Sequence, residues 1–130
     1  MKIAFKEDLD EFGELWHFIK GTNENYEIST EGRIFNNKHD RFLESRKNKI
    51  GYYTIQISID GELKSLYVHR LVAQYFIDNP NNKKQVNHKD MDKSNNNIEN
   101  LEWVSAKQNQ IHARKNKIWN YKSNKKGVGD

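Results

Sequence analysis

Cysteine is absent from all 130 residues. That excludes disulfide staples and the thiolate zinc sites that hold many small domains together. A reducing compartment is therefore the expected setting. Proline occurs once, at Pro80 after Asp78-Asn79. It is expected to close a helix, because the residue before a proline avoids the α region. Long apolar runs are missing, and no window approaches a membrane span. The segment from Met1 carries Glu7, Asp8, Asp10 and Glu11 where a signal peptide needs an apolar stretch. Neither a membrane partner nor secretion is expected, and the cytoplasm is the expected location. Apolar residues make up 35% and mean hydropathy is −1.06, so any core is thin under a wide polar surface. The length suits one domain, or two small modules sharing a core.

Aromatic and cationic side chains are plentiful. Rings at 12% of residues argue for a folded chain, since they are there to be buried or stacked upon. The net charge is +4 and the pI about 9.2. Arg41, Arg46, Lys47 and Lys49 cluster around the single carboxylate of Glu44, and Lys115, Lys117, Lys122, Lys125 and Lys126 follow Arg114. Cations interleaved with Tyr, Trp and Asn fit a nucleic acid better than a membrane, because no strong basic amphipathic helix is visible.

Turn signals at Gly21-Thr22-Asn23 and Thr30-Glu31-Gly32 separate three short strands, near Trp16–Ile19, Tyr26–Ile28 and Arg33–Asn36. They predict a small twisted sheet with Trp16, Phe18, Tyr26 and Ile28 in its core. From Tyr52 to Val68 the pattern is a hairpin. Tyr53, Ile55, Ile57 and Ile59 share one face, with Tyr52, Thr54, Gln56 and Ser58 on the other. Asp60-Gly61 is the pair that a two-residue turn with positive φ requires. The polar face is either solvated or laid in a DNA groove, as β-ribbons are. His69 to Ile77 has helical spacing, with Leu71, Val72, Tyr75 and Phe76 on one face. A strand near Gln85–His88, a loop from Lys89 to Asn97 and a strand near Leu101–Val104 follow. Ser105 is an N-cap, with Gln108 completing a capping box, and its helix is expected to run to about Lys115. Leu101, Trp103 and Ile111 are candidates for the seam between hairpin and helix. Asn95, Asn96 and Asn97 read as loop spacers. The tail from Ser123 is nearly devoid of apolar residues and is expected to be mobile.

The second half is thus strand, long loop, strand, helix, with His88 ending the first strand. Asn100 stands 13 residues after Asn87 and Asn109 stands 22 after it. Asn87-His88, Asn100 and Asn109, set around NLEWV, resemble the HNH nuclease motif in its ββα-metal fold. They are similar above all to the phage and intron-encoded homing endonucleases. VHRLVAQYF at 68–76 recurs in that group. Trp16, Ile19, Gly21, Tyr26-Glu27-Ile28-Ser29 and Gly32-Arg33-Ile34 resemble the short module that often precedes HNH there. The likeness covers roughly residues 14 to 113.

The resemblance implies an α+β fold. A small N-terminal antiparallel β-module (1–50) would bind DNA. Residues 51–116 would hold the hairpin, helix and ββα-metal nuclease core, and 117–130 a basic tail. It implies a DNA endonuclease of the homing type acting on double-stranded DNA; a monomer making a nick is the default expectation, because no dimer seam is visible in the sequence. His88 would be the general base, suited by a neutral imidazole with pKa near ~6.5. Asn87 and Asn109 would hold a divalent ion, Mg2+ or else Mn2+, since hard oxygen ligands suit both. Asn100 would brace the loop and orient the histidine. Arg33, Arg46, Lys47, Lys49, His69, Arg70 and His112 are candidate DNA contacts, with packing and surface charge as the other reading of His69 and Arg70.

One departure stands out. Many relatives have aspartate where this chain has Asn87, and two asparagines bring no negative charge to an ion. Asp90 or Asp92 would be the loop carboxylates to supply it, or else belong to a solvated turn. The alternative function is a DNA-binding protein that kept the scaffold and lost catalysis.

Overall fold

In the computed structural model, residues 13–108 are described. Alternation and turn chemistry account for most of the order seen. Strands β1 (Trp16–Phe18), β2 (Tyr26–Ser29), β3 (Ile34–Asn36) and β4 (Arg41–Leu43) form an antiparallel sheet in sequence order. Its register pairs His17 with Ile28, Ile28 with Ile34 and Phe35 with Phe42. The turns fall at the expected glycines: Gly21 has φ 83° and Gly32 φ 81°, values that only glycine adopts without strain. Of the four residues expected in the core of this sheet, Ile28 is fully buried, while Trp16, Phe18 and Tyr26 are half-buried.

Strands β5 (Arg46–Lys47), β6 (Tyr53–Ile59) and β7 (Glu62–Tyr67) make a second sheet. Ile59 pairs with Glu62 across Asp60 and Gly61, whose φ values of 51° and 85° are the mirror-image turn that a right-twisted hairpin needs. Ile55 and Ile57 are buried and Gln56 and Ser58 are exposed, as the alternation requires. β4 and β5 were not anticipated. Both lie in the cationic stretch from Arg41 to Lys49, where exposed edge positions carry no period-two apolar signal.

Helix α1 (Val68–Phe76) starts directly where β7 ends. It buries Val68, His69, Leu71, Val72 and Ala73, and its C-cap, Ile77, donates its N–H to the Ala73 carbonyl. The chain then reaches β8 (Gln85–His88), a one-turn 3-10 helix (Ile98–Asn100) and β9 (Leu101–Val104). β8 and β9 pair antiparallel, with Asn87 opposite Glu102 and His88 opposite Leu101. After β9, Ser105 Oγ accepts from the Gln108 N–H at 3.1 Å and Gln108 Oε1 accepts from the Ser105 N–H at 2.9 Å. This reciprocal capping box opens a helix at Ala106. Its continuation toward Lys115, with Asn109, Ile111 and His112, lies outside the described residues, as does the 117–130 tail.

One apolar cluster joins all three sheets around α1. It contains Ile19, Ile28 and Ile34 from the first sheet, Ile55 and Ile57 from the second, Leu71, Val72 and Ala73 from the helix, and Val86 and Leu101 from the last hairpin. Each of the larger side chains contributes roughly 1.5–3 kcal/mol by leaving water. Two cross-links tighten the joint. Asp60 donates its N–H to the Gly21 carbonyl at 2.8 Å, and the Lys20 N–H donates to the Tyr75 hydroxyl at 2.8 Å. No helix among the described residues is long and apolar enough to cross a membrane.

Candidate active site

The site begins with the end of β8. Val86, Asn87 and His88 are all buried there. The next residue, Lys89, still pairs backward, its N–H donating to the Asn100 carbonyl at 2.8 Å, and then the chain turns away. The loop is held by its own polar groups. Asp90 Oδ1 accepts from the Asp92 N–H at 2.8 Å and from Asn100 Nδ2 at 2.9 Å. Asp90 Oδ2 accepts from Asn95 Nδ2 at 2.8 Å. Asp92 Oδ1 accepts from the Ser94 N–H and hydroxyl. Hydrogen bonds from Asn95, Asp92 and Asn100 hold the Asp90 carboxyl below its ordinary range, and Ser94 does the same for Asp92. Both carboxylates are therefore spent on the turn, the second of the two roles set out for them.

Asn100 has the place expected of a brace. Its Nδ2 donates to Asp90 and to the Asn95 carbonyl, and its Oδ1 accepts from the Asp90 N–H at 3.1 Å. It makes no hydrogen bond to His88; another asparagine does. His88 Nε2 lies 2.8 Å from Asn96 Oδ1, both residues buried. An amide oxygen can only accept, so Nε2 carries the proton and Nδ1 the lone pair of the neutral ring. Among the described residues Nδ1 has no hydrogen-bond partner, and it is not one of the buried polar atoms left unsatisfied.

The asparagine run is thus no spacer. Asn95 ties to Asp90, Asn96 holds His88, and Asn97 Oδ1 caps the 3-10 helix by accepting from the Glu99 N–H at 3.0 Å. The sequence could not separate these three like residues. Their roles depend on how the loop lies against the first sheet. There the Ile98 N–H donates to the Thr30 carbonyl at 2.8 Å, and a Cβ on Gly32 would meet Asn96 Cβ at 2.9 Å.

Behind His88 is an aromatic stack. His69 lies 4.9 Å from His88, ring centre to ring centre, and Tyr52 stacks on His69 at 5.0 Å and 25°. Lys93 Nζ sits 4.7 Å above the Tyr52 ring and donates to the Ile50 carbonyl at 2.7 Å, tying the loop to the second sheet. Burial pushes the His69 imidazole down from 6.5 to about 4, with His88 and Arg70 adding to the effect. Its Nδ1 is buried without a partner among the described residues. Of the two readings of His69, a DNA contact or packing, its burial inside the protein supports packing. Arg70 is exposed, yet donates to the Lys84 carbonyl at 2.9 Å and lies over Trp103.

The other candidate contacts divide. Arg46, Lys47 and Lys49 are exposed, at and beside β5. Arg33 forms a bidentate pair with the buried Glu14 carboxylate, and its guanidinium lies 4.5 Å over Phe42 and 5.4 Å over Trp16. With this pairing to a buried carboxylate, the first role of Arg33 is in holding the sheet.

Asn87, the expected metal ligand, is buried, and its Nδ2 donates to Glu102 Oε2 at 2.8 Å. Among the described residues Asn87 Oδ1 makes no hydrogen bond, and it is not one of the sealed, unsatisfied atoms. Among the described residues no three His, Cys, Asp or Glu side chains cluster as a metal site. A single amide oxygen backed by a carboxylate fits a hard, oxygen-preferring cation that keeps most of its water. It does not fit a closed zinc site.

Comparison with known proteins agrees with this geometry. Residues 66–111 match the HNH endonuclease family, and residues 14–58 match the NUMOD4 motif. An uncharacterized HNH endonuclease of Acanthamoeba polyphaga mimivirus is 46% identical over 90 residues, covering 69% of this chain and 27% of that protein. The DNA endonuclease I-HmuI of Bacillus phage SP01 is 37% identical over 94 residues, covering 72% of this chain and 54% of its own. The solved structure describing DNA binding and cleavage by the HNH homing endonuclease I-HmuI superposes with a TM-score of 0.72 at 35% identity. That match covers 78% of this chain and 58% of the other. The chain thus spans between about a quarter and a little over half of these curated relatives. With a NUMOD4 motif leading into an HNH domain, on the fold of a homing nuclease, the chain belongs to the HNH endonucleases.

Proposed function

We propose that this protein is a DNA endonuclease that hydrolyses phosphodiester bonds, with His88 as general base. The observation that carries the reading is the bond from His88 Nε2 to Asn96 Oδ1, because it leaves Nδ1 unprotonated and without a partner among the described residues. In this reading a water held at Nδ1 gives up its proton as its oxygen attacks the phosphorus, and the 3′ oxygen leaves. Asn96 keeps the ring turned, and the packing of Tyr52 and His69 behind it limits its motion.

A divalent ion, Mg2+ or Mn2+, would be held by Asn87 and Asn109, and it supplies charge stabilisation for the phosphate and the leaving oxygen. Arg46, Lys47 and Lys49 would meet DNA phosphates, so that binding falls steeply with salt. His112 would join them. One site in a monomer gives a nick in one strand of double-stranded DNA. Action in the host-cell cytoplasm belongs to the same proposal and is in keeping with relatives from phages.

The test is a supercoiled plasmid incubated with Mg2+ or Mn2+. Wild type is expected to give open circles. His88→Ala is expected to cut about 10²–10⁴-fold more slowly while still shifting DNA in a gel. If neither protein cuts at any metal concentration and both shift the DNA, the catalytic reading fails. The chain is then a DNA-binding protein on an HNH scaffold.

A further inference from the structure

We infer that Glu102 is the positioning residue of the Asn87 amide and restores the charge that an asparagine at 87 lacks. The inference rests on the nuclease reading above. It starts from a cross-strand pair. Asn87 and Glu102 stand directly opposite each other in β8 and β9, and Asn87 Nδ2 donates to Glu102 Oε2 at 2.8 Å. An ionised carboxylate has no proton to donate, so this contact identifies the nitrogen end of the amide. The oxygen end, Oδ1, is thereby turned away from Glu102 and accepts no hydrogen bond among the described residues. Asn87 is buried, so a second amide rotamer would have to break a charge-assisted bond in a closed setting.

The bond also changes the oxygen. Donating the N–H to a carboxylate polarises the amide, and Oδ1 becomes the more negative for it. The pair then carries one net negative charge, as an aspartate at 87 would, but places it one side chain further back. Glu102 is not itself a ligand in this arrangement. The pairing also explains why asparagine suits position 87. An aspartate there would face Glu102 across the strands, and like charges directly opposite repel.

A swap tests this. Glu102→Gln is expected to weaken metal binding, and Glu102→Gln with Asn87→Asp to recover it, because the aspartate then carries the charge and the glutamine donates to it. Glu102→Gln alone keeps an acceptor for Asn87 and removes only the charge. The probe is Mn2+, read in two ways: paramagnetic broadening of the side-chain resonances around position 87, and the Mn2+ dependence of plasmid cleavage. Glu102→Gln is expected to raise the Mn2+ needed for both by about tenfold, as the loss of a partner behind a metal ligand does. Maximal rate at saturating Mn2+ should change much less, and the thermal midpoint should stay near that of wild type. If Glu102→Gln responds to Mn2+ as wild type does, or the double substitution recovers nothing over Glu102→Gln, the inference falls and the nuclease reading stands. If wild type itself shows neither broadening nor cleavage, both fall together.

Discussion

His88 and Asn96 meet at 2.8 Å, imidazole Nε2 to amide Oδ1, with both side chains buried. The partner of the histidine is thus a loop residue eight positions on, not the asparagine at the foot of the returning strand. That arrangement selects one tautomer, and the selection can be tested directly. Asn96→Ala is expected to slow plasmid cleavage by about tenfold, part of what a positioned base contributes. Asn96→Asp is expected to move the acid limb of the pH–rate profile upward by about one unit, because a carboxylate stabilises the imidazolium. An unshifted profile in Asn96→Asp would show that the contact does not act on His88 as the proposed base.

Gly32 links the N-terminal sheet to the same contact. Its φ is 81°, and an added Cβ would lie 2.9 Å from Asn96 Cβ and 3.3 Å from Val68 Cγ1. Gly32→Ala is expected to cost about 1–3 kcal/mol in urea unfolding, from strain and overpacking. Cleavage under folding conditions should fall with it, although Gly32 lies in the turn between β2 and β3 and His88 at the end of β8. A substitution that unfolds at the wild-type midpoint would contradict the packing described.

His69 makes stability depend on pH. Its folded pKa is about 4 against 6.5 for the free side chain, the shift coming first from burial. The unfolded chain therefore binds a proton before the native state does. Stability contributed by neutral His69 is full above about pH 6.5 and declines as pH falls toward 4, by at most ~1.4 kcal/mol per pH unit. His88, Arg70, Tyr52 and Tyr67 surround the ring, and none of them offers it a carboxylate. His69→Phe should flatten the decline over that interval, measured as urea midpoints between pH 4 and 7. The further loss below pH 4, as Asp90 and Asp92 protonate, should remain.

Met91 has φ 66° and is 49% exposed at the turn after His88. A side chain in the left-handed region costs roughly 1–2 kcal/mol, and a glycine there gives back part of the gain through its freer unfolded chain. Met91→Gly is expected to raise the thermal midpoint by a few degrees. A lower midpoint would mean that the methionine packs in a way its exposure does not suggest.

Much of the fold was legible because its signals are local. The alternation of Tyr53 to Ile59, the Asp60-Gly61 turn, the bounds of β8 and β9, and the capping box of Ser105 and Gln108 each depend on residues a few positions apart. Period and turn chemistry act over that range. The edge strands β4 and β5 were hidden because pairing with a neighbour, not an apolar rhythm, makes them strands.

The site divides in the same way. Chain order together with the resemblance to the HNH motif marked His88, Asn87 and Asn100 in the sequence. Three-dimensional packing assigned the partners. Asn96 reaches His88 because the loop is laid against Thr30 and Gly32, more than sixty positions earlier in the chain. Glu102 faces Asn87 because of strand register, and His69 is buried because α1 turns it under Tyr52. Contacts between distant segments leave no periodic trace in a sequence, so the bonds that orient a catalytic side chain appear only once the chain is folded.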